Sequence, residues 1–191
     1  VPGITIAIGE GGSLAGDQFR IRGFDSKDDV YLDGLRDFAS YTRDSFAYQE
    51  VQVLKGPSGL MFGRGTTGGA INTISKVPTL ATRGEVKLEG GNGAHARATG
   101  DYNYQLSDNA AVRVAAMYTN TGVVDRDMVF SHRWGIAPSL AFGLDSPTTL
   151  TLSYIHQHAN GRPDYGIPVS ITPTSIFAVP ATEYGVPRNT F

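Results

Sequence analysis

The second half of the chain alternates polar and apolar residues with a period of two, as in β-strands whose two faces meet different surroundings. In His95–Leu106 the even positions hold small, aromatic or aliphatic residues, whereas every odd position is polar. The same parity continues in Gly84–Gly91, Ala110–Thr119, Ser131–Leu144 and Thr148–Gln157. The pattern therefore predicts about five strands that share one apolar face, built from even-numbered residues.

The connections between these strands are short at one end and long at the other. Ser107–Asn109 and Asp145–Thr148 are rich in residues that favour tight turns, whereas Gly122–Phe130 and the Pro/Gly-rich stretch after His158 predict long loops. Strands of about 9–11 residues with this alternation of turn length are typical of a transmembrane β-barrel. A water-soluble β-sandwich also has alternating strands and remains an alternative.

Aromatic residues near both strand ends favour the barrel, because such residues anchor a barrel at the two membrane interfaces. We therefore expect the even-numbered side chains from Val86 to Tyr154 to contact hydrocarbon, and their odd-numbered neighbours to face inward. The interface residues are expected to be Tyr102, Tyr104 and Phe142 at the tight turns, and Tyr118, Trp134 and Tyr154 toward the long loops.

The first eighty residues have short apolar runs broken by Gly and Asp, and Val51–Lys76 is especially rich in glycine. A phosphate-binding loop, a flexible linker and a compact domain of tight turns all fit such a segment. The phosphate-binding loop is disfavoured because Lys55 precedes the glycines instead of following them. The linker is disfavoured because apolar residues such as Leu60 and Phe62 interrupt the glycines and favour burial.

Composition excludes several classes of function. The 191 residues carry a net charge of −2 and contain no cysteine, which argues against a nucleic-acid partner and excludes disulfides and thiolate metal sites. No apolar run approaches the roughly 18 residues of a membrane-spanning helix. The four histidines lack the pattern of a zinc site, and no Ser/His/Asp motif indicates an enzyme. The two ends of the chain do not resemble natural termini, so we expect a fragment.

Five motifs within Phe19–Asp37 and Glu50–Pro78 resemble the plug domain of TonB-dependent outer-membrane receptors, in the order found in that family. They are I-R-G-F, Y-L-D-G-L-R-D, E-V-x-V-L-K-G-P, F-G-R-G and G-G-x-I-N-x-x-S-K-x-P. The resemblance implies a mixed α/β plug domain over residues 1–80. It implies that residues 81–191 are the first strands of an antiparallel transmembrane β-barrel, which has 22 strands in the full family.

The resemblance implies a receptor in the outer membrane of a Gram-negative bacterium, surrounded by outer-membrane lipid. Its expected task is uptake of a ferric siderophore, most closely of the catecholate type. TonB would supply the energy through an N-terminal segment that this chain lacks. Iron would arrive already chelated, so no cofactor, protein metal ligand or nucleic acid is expected. A receptor of the same fold for cobalamin, haem or an oligosaccharide is an alternative, as are a soluble β-sandwich adhesin and a phosphate-binding enzyme.

The resemblance also implies roles for individual residues. Arg22 and Lys55 match plug cations that face carboxylates of the barrel wall, with solvated surface cations as the alternative. Asp33-Gly34 predicts a hairpin turn. Cations and aromatic residues in the expected apical and extracellular loops would suit an anionic, aromatic iron chelate, with a place in the plug core as the alternative for Phe38 and Tyr41. These ligand-binding candidates are Lys27, Arg36, Phe38, Tyr41, Arg43, Arg162, Tyr165 and Arg188.

Overall fold

A computed structural model describes residues 2–6, 17, 19–26, 28–39, 41–56, 68–164 and 169–179. Within these ranges the chain forms strands and one short 3-10 turn at Ser45–Ala47, without an α-helix. The described part of the first eighty residues contains strands and this 3-10 turn, and the α-helices that an α/β plug would include are not found there. None of the described residues belongs to a helix long and apolar enough to cross a membrane.

The N-terminal region contains two small sheets. The first is antiparallel, and its strands, in spatial order, are β1 (Ile4–Ile6), β2 (Phe19–Ile21) and β3 (Phe24–Asp25). The second has the order β5-β4-β7-β6, with β4 and β7 parallel and the other pairs antiparallel. Its strands are β4 (Val30–Leu32), β5 (Leu35–Arg36), β6 (Tyr48–Lys55) and β7 (Gly69–Ser75).

The predicted hairpin turn at Asp33-Gly34 is confirmed between β4 and β5. Both residues have positive φ angles, 51° and 81°, which is the backbone of the two-residue turn that suits twisted hairpins. The Asp33 carboxylate accepts hydrogen bonds from the Ser75 backbone N–H at 2.8 Å and the Ser75 hydroxyl at 2.6 Å. The Gly34 N–H donates to the Asn72 side-chain oxygen at 3.0 Å. The hairpin is thereby fixed to β7.

The C-terminal region is dominated by one antiparallel sheet, which we call the wall. Strands that are consecutive in sequence are also adjacent in the sheet. The last two, β12 and β13, pair with successive parts of β11, so together they form one edge of the sheet with a break between them. The wall strands are β8 (Arg83–Gly91), β9 (His95–Ser107), β10 (Ala110–Val123), β11 (Arg126–Phe142), β12 (Leu150–Ser153) and β13 (His156–Arg162).

Two expected long loops are largely β-structure. Strands β10 and β11 continue to a tight turn at Val124–Asp125, so the prediction of a loop over Gly122–Phe130 is wrong. Strand β13 also runs past His158 to Arg162, and a hairpin of β14 (Val169–Ile171) and β15 (Ile176–Ala178) follows. The period-two signal fades in these segments because polar residues lie on both faces, while the backbone pairing continues.

The two faces of the wall differ as the alternation predicts. Exposed fractions on the even face are 75% for Val86, 78% for Leu88, 54% for Tyr102, 54% for Tyr118 and 45% for Trp134. The N-terminal region covers the odd face at the central strands, where the exposed fractions do not exceed 6% for Asn103, Arg113, Ala115, Met117 and Thr119, whereas β8 and β12 are exposed on both faces. The prediction that residues of the first eighty pack on the odd face is confirmed.

Candidate functional site

The loop before β6 is the main contact between the N-terminal region and the wall, and Asp44 is at its centre. The Asp44 side chain is 5% exposed. Its carboxylate accepts the Phe46 N–H at 3.2 Å, which caps the 3-10 turn. The Arg97 guanidinium donates to both carboxylate oxygens, at 2.6 and 2.8 Å. This bidentate, charge-assisted arrangement is the strong form of an arginine–carboxylate contact.

A second wall arginine approaches the same carboxylate. Arg97 on β9 and Arg133 on β11 both pair in register with Thr119 on β10, so all three side chains lie in one row on the odd face. Arg97 also donates to the Thr119 hydroxyl at 2.8 Å. The Arg133 Nη1 atom lies 3.8 Å from Asp44 Oδ2. Asp44 therefore places one negative charge between two cations.

These cations determine the protonation of Asp44. Burial alone would raise its pKa, but the hydrogen bonds and charge of Arg97, then the Phe46 amide and the Arg133 charge, outweigh burial and lower the pKa. Asp44 is consequently a carboxylate at neutral pH.

Apolar packing beside Asp44 completes this contact. Phe46 is 4% exposed and lies in one cluster with Ala47, Ala115 and Met117. A Cβ atom added to Gly135 of β11 would lie only 2.7 Å from Phe46 Cζ, so the glycine makes room for the ring. Gln157 of β13 donates to the Thr42 carbonyl at 2.7 Å. The loop is thus attached to strands across most of the wall.

A second ionic cluster fixes the chain as it passes into the wall. Asp101 on β9 accepts hydrogen bonds from Arg113 at 2.9 and 2.8 Å. It also forms an ion pair with Lys76, whose Nζ atom lies 2.9 Å from the carboxylate. Arg113 also donates to the Val77 carbonyl at 3.0 Å. Both clusters join the N-terminal region to the odd face through polar contacts.

The predicted ligand-binding residues Arg36 and Phe38 lie together on the surface. The Arg36 guanidinium carbon is 5.0 Å from the centre of the Phe38 ring, a cation–π contact. Arg36 Nε donates to the Asp28 carbonyl at 2.7 Å, which orients the side chain. Phe38 is 80% exposed, so its ring is available to a ligand.

Arg43 and Tyr41, two further ligand candidates, instead hold the loop together. The Arg43 side chain is 7% exposed. It donates to Asp37 at 2.9 and 3.1 Å and to the Ala39 carbonyl at 2.8 Å, and it lies 4.4 Å above the Tyr41 ring. The Tyr41 hydroxyl donates to Asp37 at 2.8 Å. In this arrangement both side chains contact their own loop, and direct contact with a ligand stays a prediction.

The protonation of this loop network also reflects its environment. Burial raises the pKa of the Tyr41 phenol, and the neighbouring Tyr48 and the hydrogen bond to Asp37 add to the increase. Burial would raise the pKa of Asp37 too, but the hydrogen bonds from Tyr41 and Ala39 and the charge of Arg43 lower it overall. Asp37 is therefore the anion that organises the network.

The remaining predicted residues are not brought into this arrangement. Arg22 and Lys55 are exposed, and neither has an ion pair with a carboxylate among the residues that the structure describes. Their pairing with a barrel wall stays a prediction. Arg162 is the last residue of β13, opposite Phe130, and its ligand role also stays a prediction. The other candidates, Lys27, Tyr165 and Arg188, lie outside the described residues.

Sequence reasoning did not single out Asp44 and Lys76 of the N-terminal region or Arg133 of the wall, and it placed Arg113 on the polar face without a partner. The alternation placed Arg97 and Asp101 on the inward face, but it could not show their partners. The one available signal was that ionised groups at inward positions need compensating charges.

Comparison with known proteins defines the class. Residues 1–70 match the family described as "TonB-dependent Receptor Plug Domain". A plug domain followed by an antiparallel wall that covers one of its sides is the arrangement that the motifs led us to expect.

Relatives of known type extend the match beyond residue 70. The chain is 41% identical over 170 residues to the catecholate siderophore receptor Fiu of Escherichia coli strain K12. The aligned region covers 88% of this chain and 22% of Fiu. The chain is 32% identical over 170 residues to the ferrioxamine B receptor of Salmonella typhimurium strain LT2, covering 83% of this chain and 24% of that receptor. The crystal structure of the siderophore receptor PiuA from Acinetobacter baumannii matches with a TM-score of 0.82 and 40% identity, over 90% of this chain and 24% of PiuA.

The resemblance to TonB-dependent siderophore receptors is therefore confirmed. This chain spans about a quarter of the length of these relatives. We call the N-terminal region the plug from here on.

Proposed function

We propose that the receptor containing this chain binds a ferric siderophore at the outer membrane of a Gram-negative bacterium and imports it with energy from TonB. The observation that carries the proposal is a wall with two different faces: the plug is seated on the odd face, and the even face presents apolar side chains outward.

The even face supports a membrane location. Leu88, Leu150 and Leu152 are 78%, 57% and 55% exposed. A soluble protein rarely leaves such a continuous row of aliphatic and aromatic side chains in water. Hydrocarbon is the natural surrounding for the outward face of a barrel wall, and the strands from β8 to β11 are paired with their neighbours along the sheet.

The contact between plug and wall supports transport. The Asp44 and Asp101 clusters join the two parts through ion pairs and hydrogen bonds, with one small apolar cluster around Phe46. Polar contacts can be exchanged for contacts with water, whereas a large apolar interface would resist separation. Such an interface suits a plug that must move when cargo passes.

The Arg36–Phe38 pair supports an anionic, aromatic cargo. A guanidinium attracts negative oxygens, and an exposed ring stacks on a catechol ring. Fiu is a catecholate siderophore receptor by name, which makes a ferric catecholate the first candidate. The relative named ferrioxamine B receptor makes a ferric hydroxamate the second candidate.

The proposal is tested by measuring the binding of two probes to the purified full-length receptor in detergent. One probe is the ferric complex of 2,3-dihydroxybenzoate and the other is ferrioxamine B. Binding of each probe is monitored by the quenching of tryptophan fluorescence. We expect the ferric catecholate to bind more tightly. We expect Phe38→Ala or Arg36→Ala to weaken its binding about tenfold, which corresponds to about 1.4 kcal/mol.

The matched control is Ile6→Ala, because Ile6 is also an exposed apolar plug residue, at 63% exposure, but lies on β1. This change should leave binding within about twofold. If neither chelate binds, the proposed cargo class is wrong. If Phe38→Ala behaves like Ile6→Ala, the Arg36–Phe38 pair is not part of the ligand site.

A further inference from the structure

The odd face of the wall carries two arginines that share one carboxylate. Arg97 and Arg133 flank Thr119 in a single row across three strands, and Asp44 reaches them from the plug. We propose that Arg97 and Arg133 form an anion-binding site on the inner face of the wall. Asp44 fills this site in the described state, and an anionic cargo fills it when the plug moves away. The proposal rests on the proposed transport function.

The site is only partly saturated by Asp44. Arg97 makes the two short hydrogen bonds to the carboxylate, whereas Arg133 approaches no closer than 3.8 Å. Among the described residues, Arg133 Nε is a buried nitrogen without a hydrogen-bond partner. Arg133 therefore has an unused hydrogen-bond donor close to the Asp44 carboxylate. Together the two guanidinium groups can donate to more negatively charged oxygens than the two that Asp44 supplies.

The other carboxylates near this row make no short contact with either arginine among the described residues, although the charges of Asp17 and Arg133 interact at longer range. Glu89 Oε1 lies 4.0 Å from Arg97 Nε, but the Glu89 side chain is 55% exposed and its attraction is screened by water. Asp17 receives the backbone N–H of Arg43 at 2.8 Å and lies 3.8 Å from the Arg43 guanidinium. Arg133 therefore has no short ion pair of its own in the described part of the chain.

Withdrawal of Asp44 would leave two partly buried cations uncompensated. With the plug in place, the side chains of Arg97 and Arg133 are only 15% and 23% exposed, so a withdrawal of the Asp44 loop that leaves the rest of the plug seated leaves their charges poorly hydrated. Leaving such charges without a partner is strongly unfavourable. An incoming anion that replaces the carboxylate offsets this penalty, so the cargo itself favours the displaced position of the plug.

The geometry selects the chemical class of ligand. Two guanidinium groups in a row suit a group with adjacent negative oxygens, such as a carboxylate or a deprotonated catechol, because each arginine presents paired planar donors. Neutral or cationic chelates lack the charge to replace Asp44. The site would thus add discrimination inside the wall to recognition at the surface.

Asp44→Asn in the full-length receptor tests the site. Asparagine keeps the shape of the side chain and an oxygen for the Phe46 N–H, but it removes the negative charge. The probe is iron-free 2,3-dihydroxybenzoate, titrated calorimetrically into the receptor in detergent. We expect Asp44→Asn to bind the probe at least tenfold more tightly than the unchanged receptor, and we expect Arg97→Gln with Arg133→Gln to abolish that gain.

Glu89→Gln is the matched control because it removes one negative charge beside Arg97 but leaves Asp44 in contact with Arg97 and Arg133. It should alter binding less than threefold. If Asp44→Asn binds no more tightly than Glu89→Gln, or if the gain persists without the two arginines, the proposed site is wrong.

A second measurement uses the unaltered fold, in case Asp44→Asn does not assemble. Millimolar 2,3-dihydroxybenzoate should speed amide hydrogen exchange of residues 44–48 at least threefold in the unchanged receptor, and Arg133→Gln should remove the effect. Unchanged exchange would overturn the proposal.

If the anion acts as expected but no ferric chelate binds, the proposed function fails and the anion site stands. If a ferric chelate binds and the anion has no effect, the anion site is wrong and the proposed function stands.

Discussion

The Asp44 carboxylate and the Arg97 guanidinium join plug and wall through two hydrogen bonds of 2.6 and 2.8 Å, across 53 residues of sequence. The Asp44 side chain is 5% exposed and that of Arg97 is 15% exposed, and Arg133 lies 3.8 Å from the same carboxylate. Plug docking and the charge state of Asp44 are therefore coupled.

Replacing Asp44 by alanine should weaken plug docking by about 3–5 kcal/mol, because both arginines lose their shared counter-ion in a buried setting. The free energy is measured from urea-dependent protection of residues 44–48 in hydrogen exchange on the reconstituted receptor. Glu89→Gln serves as the control and should cost less than about 1 kcal/mol, since that contact is exposed. Equal effects of the two changes would show that Asp44 does not anchor the plug.

Acid should release the plug from the wall. The pKa of Asp44 is lowered in the docked state because Arg97 and Arg133 outweigh burial, so its stabilising contribution is fully present above the ordinary aspartate pKa of about 3.9. The contribution is lost as the pH falls below that value through the lowered pKa. Protection of residues 44–48 measured from pH 6 to pH 2.5 should decline in this window, and Asp44→Asn should flatten the decline. A profile that Asp44→Asn leaves unchanged would contradict the assignment.

Gly135→Ala should destabilise the contact around Phe46 by about 1–3 kcal/mol, the usual range for an over-packed core. The added Cβ would meet Phe46 Cζ at 2.7 Å and the His156 carbonyl at 3.0 Å. Combining it with Phe46→Leu should give a total smaller than the sum of the two single changes, because the shorter side chain relieves the clash. Heat-induced unfolding of the four receptor variants in detergent measures this cycle. Strict additivity would mean that Phe46 does not press on Gly135.

Arg43→Lys should loosen the loop that carries Phe38. A lysine cannot make the forked contacts to Asp37 and the Ala39 carbonyl, so we expect a loss of about 1.5–3 kcal/mol in local stability. Hydrogen exchange of residues 37–43 measures it. Arg36→Lys is the control, since Arg36 is more exposed and, within the described part of the chain, makes one hydrogen bond to the Asp28 carbonyl and a long ion pair of 3.9 Å with Asp29. If both variants exchange alike, Arg43 does not organise the loop.

The wall is the part of the fold that the sequence predicts best. Its strands have one face toward the plug and one outward, so each strand repeats the same parity, and a single strand such as His95–Leu106 reveals it. The Asp33-Gly34 turn is equally local, because a two-residue hairpin requires positive φ at both positions. Such features depend on neighbours within a few residues.

The plug contact could not be predicted in the same way. Asp44 meets Arg97 and Arg133 only after the chain has folded back on itself, and the period-two alternation of the wall strands does not show which plug residue lies against them. Arg43 and Asp44 are adjacent charged residues, yet one turns into its own loop and the other reaches the wall. Tertiary packing determines this difference, and composition does not.

The most direct test of the two-faced wall is a nitroxide scan of β10, one residue at a time from Arg113 to Tyr118, in the full-length receptor reconstituted in lipid. A two-faced wall predicts that the rate of collision with dissolved oxygen alternates along the strand. It should be high at Val114, Ala116 and Tyr118, where the label contacts hydrocarbon, and low at Arg113, Ala115 and Met117, where it contacts the plug. Low oxygen accessibility at the even positions, or uniform accessibility to a water-soluble nickel reagent along the strand, would contradict it.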